Sequence, residues 1–237
     1  MGIAIRAAGL SQRYGPVSAL TGLDLQIAEG EVFGYLGPDG AGKTTTLRLL
    51  LGLAQPAAGY AQIFGLDCWG NAVAVHRRLA YVPAEASLWP WLTGAETLHL
   101  LSRGHRRPDL RYRDELIERF ALDPAREIHA CSRSNRQKVL LIAAFLTRAD
   151  LLLLDEPARW LDPQLRQEFR RCVGEARSRG QTVFLSSRTL SEIEVLCDRV
   201  GILSAGELVA TGTPEQLRHL ASSVASHPIG TSRFISN

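Results

Sequence analysis

The chain has 237 residues, 46% of them hydrophobic and 22% charged, a composition that suits one large globular domain and excludes a disulfide-stapled miniprotein, a fibre and a disordered chain. Its formal charge of +3 is too small to imply a nucleic acid partner. The longest apolar stretches, residues 139–146 and 151–154, fall short of the roughly 20 residues a spanning helix needs, and residues 1–10 lack the basic, apolar and small-residue segments of a secretory signal, so a cytoplasmic protein is expected.

In chain order, alternating apolar residues over 3–8 and 23–27 predict strands, and 31–36 predicts a third, more buried one. Leu47, Leu50 and Leu51 recur at helical spacing after a glycine-rich turn, which predicts a helix over 43–53. Short strands are expected at 60–64 and at 79–82, the second ending at Pro83. Between 88 and 149 the spacing of Leu92, Leu98, Leu101, Leu116, Ile117 and Phe120 becomes helical, interrupted by prolines and arginines, as in an inserted helical subdomain. Residues 151–154 return as a continuous apolar strand of the kind covered on both faces in a parallel sheet. Helix (163–179), strand (182–186), helix (191–196) and strand (200–203) then alternate in the manner of a doubly wound fold. A hairpin at Ala205 and Gly206 precedes a helix over 214–220, and the polar residues 222–237 are expected to be loose.

The cysteines Cys68, Cys131, Cys172 and Cys197 have neither metal-ligand nor disulfide-framework spacing, and the six histidines are equally scattered. No structural metal is expected. Arg103, Arg106, Arg107, Arg111 and Arg113 form a local basic cluster, read as a solvated helix face or as a contact with an anionic surface.

Residues 37–45, Gly37-Pro38-Asp39-Gly40-Ala41-Gly42-Lys43-Thr44-Thr45, fit G-x-x-x-x-G-K-[ST] between a predicted strand and a predicted helix, the context a phosphate-binding loop requires. Glycines let the backbone N–H groups converge on phosphate oxygens, and the following helix adds its positive end. Lys43 would reach the β- and γ-phosphates, and Thr44 would offer its hydroxyl to Mg²⁺. Lys43 is one of two lysines among the 27 basic residues, so a lysine here is not a product of composition. Further on, Asp155 and Glu156 follow four leucines, which places carboxylates at the carboxyl end of a buried strand, where open α/β sheets bind ligands. Asp155 would help hold Mg²⁺ and Glu156 would act as general base; a helix N-cap is the other use of such a pair.

The order of Tyr14, the loop at Gly37, the segment Cys131-Ser132-Arg133-Ser134-Asn135-Arg136-Gln137-Lys138, Asp155-Glu156, Leu161-Asp162 and Ser186-Ser187-Arg188 resembles the ATPases of ABC transporters over nearly the whole chain. It is most similar to single-domain bacterial subunits that serve separate permeases in drug, antibiotic or small-molecule export. The resemblance implies an α/β fold with a P-loop NTPase core, a mainly parallel sheet with helices on both faces, joined by an N-terminal antiparallel β subdomain. Core and β subdomain would occupy 1–87 and 150–221, and the helical subdomain 88–149. It also implies ATP and Mg²⁺ as ligands, a membrane permease as partner, and a peripheral location on the inner face of the membrane. Two cassettes, alike or different, would pair head to tail, with each ATP between one P-loop and the partner's signature segment. Tyr14 matches the aromatic residue that stacks on adenine. Ser132, Arg133, Ser134 and Asn135 match the signature that faces the partner's γ-phosphate.

Several positions depart from the family. Ala84 stands at the usual Q-loop glutamine and can neither ligate Mg²⁺ nor hydrogen-bond through its side chain; Glu85 beside it is a candidate substitute. Ser134 replaces a signature glycine, and Trp160 stands where glycine is usual, where it would hinder the dimer interface or fill a gap in an unlike partner. Asp39 for asparagine is the mildest change. Arg188 occupies the place of the switch histidine: always charged and rich in donors, it either grips phosphate or turns into solvent. Two functions are therefore expected to compete, an ATPase that drives a permease with weak turnover, and a regulatory cassette that binds ATP and pairs with an active homologue.

Overall fold

The structure, a computed structural model, describes residues 2–102 and 109–218. They form ten strands in two sheets. The smaller sheet is antiparallel in the order β2-β1-β4-β5, from β1 (Ile3–Tyr14), β2 (Val17–Ala28), β4 (Ala58–Ile63) and β5 (Leu66–Asp67). The larger runs β10-β9-β3-β8-β7-β6: β3 (Val32–Leu36), β6 (Leu79–Val82), β7 (Leu151–Leu154), β8 (Thr182–Ser187) and β9 (Arg199–Ser204) are parallel, and β10 (Glu207–Gly212) is the antiparallel edge. This is the expected α/β architecture with an antiparallel β unit at the start of the chain.

The strands β1 and β2 are longer than alternation alone predicts. They pair from Ile3–Ala28 to Tyr14–Val17 through several register shifts, and each irregularity breaks the period-2 signal that sequence reading depends on. Helix α1 (Lys43–Leu50) ends before the expected residue 53. Gly52 has φ +62° and Leu53 N–H reaches back to the Arg48 carbonyl at 2.9 Å, so a left-handed glycine closes the helix. Two short elements went unpredicted, β5 and α2 (Ala72–His76), because neither is long enough to show a period. Helix α6 (Pro163–Ser178) starts as the sequence indicates: the Asp162 carboxylate caps Leu165 N–H at 2.9 Å, with proline in the first turn.

Residues between β6 and β7 carry the helical insertion, α3 (Gly94–Ser102), α4 (Leu110–Arg119) and α5 (Arg133–Thr147). β6 and β7 are parallel neighbours, so α5 doubles as their crossover helix. Every residue of α5 from Gln137 onward is buried, which is why its apolar run lacks a polar stripe. One core packs α5, α6 and the insertion against the large sheet, and the other fills the space between the two sheets and α1. Arg119, at the end of α4, pairs with Glu168 at 2.5 Å and Glu175 at 2.9 Å on α6 and with Glu115 at 3.1 Å, tying the insertion to the core. Helix α7 (Leu190–Ile193) is shorter than expected, and a helical turn opens at Pro214. Arg103, Arg106, Arg107 and the tail at 222–237 lie outside the described residues; of the basic cluster, Arg111 is exposed and Arg113 pairs with Asp114 at 2.8 Å.

Candidate functional site

Buried β3 delivers the chain into the turn at 37–42, and α1 begins at Lys43. Two glycines are required by space. A Cβ on Gly37 would lie 2.6 Å from the Leu203 carbonyl oxygen, and one on Gly42, at φ +111°, 2.6 Å from that of Ala19. Lys43 is 5% exposed and its Nζ donates to the carbonyls of Gly37 at 2.5 Å and Pro38 at 2.9 Å. Burial pulls its ammonium below the ordinary lysine range, against the opposing pull of Glu156, Asp39 and Asp155.

Asp155, at the end of β7, is held by two hydroxyls. Ser186 on β8 donates to Oδ1 at 2.6 Å, and Thr44 donates to Oδ2 at 3.3 Å. Burial raises the Asp155 carboxyl above its usual range, while the Ser186 bond opposes the rise. Thr44 and Asp155 thus bring two oxygens together beside the loop, a donor set that fits a hard divalent cation such as Mg²⁺.

Glu156 has a left-handed φ of 46°, unusual for a branched-off side chain without glycine's freedom, and its N–H is anchored on the Ser186 hydroxyl at 3.0 Å. Its carboxylate accepts from Arg188 Nε at 2.9 Å and Nη2 at 2.8 Å. Arg159 Nη1 lies 3.5 Å away and Lys43 Nζ 3.9 Å. Burial pushes the Glu156 carboxyl up, but Arg188, Lys43 and Arg159 outweigh it and hold it below the usual range. Arg188 also donates Nη1 to Asp39 at 2.8 Å. Arg188, its side chain 36% exposed, therefore bridges the turn at Asp39 and the carboxylate of Glu156.

The P-loop cleft, about 200 Å³, is lined by residues 38–40 and 42–45, by Glu156 and by Val17, Ser18 and Ala19. The last three were not singled out from the sequence, and neither was Arg159, while Ser186 was named only as part of the segment that ends in Arg188. No local motif marks them, because they arrive from other elements. Tyr14, at the end of β1, is 44% exposed and is not part of that lining. Nor are the signature residues Ser132, Arg133, Ser134 and Asn135; Ser132 caps α5, accepting from Asn135 N–H at 3.2 Å. Glu85 lines a different cleft, with Ala86, Arg133, Arg136 and Trp160. Trp160 packs within its own chain, its Nε1 donating to the Ala84 carbonyl at 3.4 Å.

The family model described as "ABC transporter" matches residues 20–159, from β2 through the P-loop and the insertion to the turn after Glu156. The chain belongs to the ABC transporter family. This ABC cassette is 40% identical over 220 residues to the daunorubicin resistance ATP-binding protein DrrA3 of Streptomyces coeruleorubidus, covering 91% of this chain and 70% of the relative. It is 34% identical over 215 residues to the bacitracin transport ATP-binding protein BcrA of Bacillus licheniformis, covering 88% of this chain and 69% of that one. A solved ATP-binding subunit of an ABC transporter superposes with a TM-score of 0.85 at 28% identity, covering 92% of this chain and 93% of that one. The cassette is an ATP-binding subunit of an ABC transporter, and among its described residues no helix is long and apolar enough to cross a membrane.

Proposed function

We propose that this cassette binds MgATP in the cleft at Lys43 and hydrolyses it slowly to drive a separate export permease, from the inner face of the membrane. The observation that carries the reading is the convergence of Lys43, Thr44 and Glu156 on one cleft at the carboxyl ends of β3 and β7, with Asp155 hydrogen-bonded to Thr44 beneath it. Residues 37–45 supply the N–H groups for phosphate, and Lys43 exchanges the carbonyls of Gly37 and Pro38 for phosphate oxygens. Thr44 and Asp155 would hold Mg²⁺, which when bound neutralises phosphate charge. Glu156 takes the proton of the water whose oxygen attacks the γ-phosphorus, the bond from that phosphorus to the bridging oxygen breaks, and ADP and phosphate leave.

Arg188 makes the step slow. It occupies both oxygens of the base in a charge-assisted bidentate pair, and Glu156 accepts a proton only after Arg188 has released one of them. The same pairing is the one observation that favours a regulatory cassette acting beside an active homologue. Tyr14 stacks on adenine in this reading, and Ser132 to Asn135, exposed or half-exposed at the start of α5, face the nucleotide of a second cassette. The permease meets an apolar groove of about 420 Å³ in which Leu53, Tyr81, Leu101, Leu140 and Ala143 take part. Export of drug-like molecules is carried over from the names of the relatives.

ATP binding and steady-state hydrolysis by the purified chain, with Lys43→Ala and Glu156→Gln, test the proposal. Binding lost in the first variant and hydrolysis lost in the second are expected. Binding without hydrolysis in the parent chain sinks the enzymatic reading in favour of the regulatory one.

A further inference from the structure

Three separate elements meet at one indole. The guanidinium carbon of Arg133, the first residue of α5, lies 5.0 Å from the centroid of the Trp160 ring, and that of Arg159 lies 4.7 Å from it. The indole N–H donates to the carbonyl of Ala84, in the loop between β6 and α3. Two guanidinium groups repel each other, so both settle over one ring only where the ring's electron-rich face and nearby carboxylates offset that cost. Those carboxylates are present: Glu156 is 3.5 Å from Arg159, and Glu85 lines the cleft that Arg133 shares with Trp160. Ala84 carries only a methyl group, so its loop is held by the backbone carbonyl rather than by a side chain. Gln137 of α5 donates to the carbonyl of Pro157 at 3.3 Å, which pins the helix to the same turn beside the indole.

We propose that Trp160 is a positioning residue, which braces the helical insertion and the β6–α3 loop against the turn carrying Glu156, with Arg159 as the link to that carboxylate. The orientation of α5 is thereby passed to Glu156 inside one chain: Arg133 moves with α5, Trp160 with Arg133, and Arg159 with Trp160. The link to hydrolysis rests on the proposed role of Glu156 as base, whereas the brace itself does not.

The experiment places spin labels on the full chain at Ala125→Cys in the insertion and Gln26→Cys on β2, both exposed; the four native thiols are buried. The distance distribution between the labels is measured by pulsed electron resonance, alongside ATP hydrolysis, in the parent, Trp160→Leu and Trp160→Phe. The Arg119 network is intact in all three. Trp160→Leu is expected to broaden the distribution and to lower kcat by about tenfold, the size of a lost cation–π contact that also displaces a catalytic group, with KM for ATP within about twofold. Trp160→Phe, which keeps a ring but no N–H, is expected to retain most of both. A Trp160→Leu chain with the parent's distribution overturns the brace, and so does Trp160→Phe behaving like Trp160→Leu. A broadened distribution with unchanged kcat overturns the link to Glu156. A parent chain without turnover sinks the role of Glu156, and the brace is then judged on the distances alone.

Discussion

Arg188 and Glu156 form a bidentate pair, Nε at 2.9 Å on one carboxylate oxygen and Nη2 at 2.8 Å on the other, while the remaining nitrogen of the same guanidinium holds Asp39 at 2.8 Å. A carboxylate so engaged is a poor proton acceptor, because taking a proton means giving up a charge-assisted hydrogen bond. Histidine at 188 cannot make the same fork. Arg188→His is therefore expected to raise steady-state hydrolysis roughly tenfold or more, part of the 10²–10⁴ that a positioned base contributes, and to loosen the tie to Asp39. Turnover equal to that of the parent chain would show that Arg188 does not limit Glu156.

At the start of α3, Thr93 and Glu96 form a reciprocal cap: Thr93 N–H and hydroxyl both donate to the Glu96 carboxylate at 2.8 Å, and Glu96 N–H donates to the Thr93 hydroxyl at 3.2 Å. The Thr93 backbone N–H, then its hydroxyl, hold the Glu96 carboxyl below the usual glutamate range. A carboxyl depressed by folding contributes stability that is complete above the unfolded value, about 4.3, and is lost as pH falls through the lower folded value. Thr93→Ala should raise the Glu96 pKa toward the ordinary value in an NMR titration and lower Tm by roughly 2–4 °C at neutral pH. A Glu96 titration unmoved by the substitution would refute the cap.

Much of this was legible in the sequence, for physical reasons that differ by element. Residues 151–154 announce a covered parallel strand because burial on both faces removes all polar residues, and the 37–45 loop announces itself because Gly37 and Gly42 have no room for a Cβ. Asp155 and Glu156 stood out as candidate site residues from their place after that strand, and the structure sets Asp155 against Thr44 and Glu156 near Lys43. What stayed hidden depends on distance in sequence. Arg188 and Glu156 are 32 residues apart, and nothing local says that they pair. For Trp160 the sequence raised only contacts with another chain, as an obstacle or as a gap-filler, because its intrachain partners Arg133 and Ala84 lie in the insertion and the loop before it. Ser186 looked like part of a motif ending in Arg188, whereas its hydroxyl is the joint that orients both Asp155 and Glu156.

Arg119 is the central cation of a part-buried cluster in which Glu168 and Glu175 are 15% and 33% exposed and Cys172 Sγ accepts from Nη2 at 3.4 Å, while the more exposed Arg171 reaches Glu168 at 3.4 Å. Removing Arg119 leaves carboxylates facing one another away from full solvent. Breaking a buried pair by deleting one partner costs about 3–5 kcal/mol, and partial exposure of Glu175 lowers the expectation for Arg119→Ala to roughly 2–3 kcal/mol, read by urea unfolding. Arg119→Ala combined with Glu168→Gln should recover part of the loss, because the uncompensated charge is then removed. A double variant as unstable as the single one would mean that packing of the arginine stem, not its charge, is what counts.

Gly42 separates the stability of the fold from the integrity of the site. It sits at φ +111°, a conformation that side chains rarely adopt, and a Cβ there would meet the Ala19 carbonyl oxygen at 2.6 Å and the Leu20 side chain at 2.9 Å. Neither backbone neighbour can step aside cheaply, since Thr46 N–H is bonded to the Gly42 carbonyl at 2.9 Å and Ala19 lies in β2. Gly42→Ala must therefore shift the loop away from β2 and turn the N–H groups that precede Lys43. The cost to the fold is expected to be about 1–3 kcal/mol, the range for a residue forced into a disfavoured backbone state. The cost to ATP affinity should be larger, at least about tenfold, because phosphate recognition needs several N–H groups aimed at once. Gly40, at φ +76° with no atom within 4 Å of its Cβ position, is the control: Gly40→Ala carries the backbone strain without the collision. If both variants lost stability and ATP affinity equally, close approach to Ala19 would not be the reason for glycine at 42.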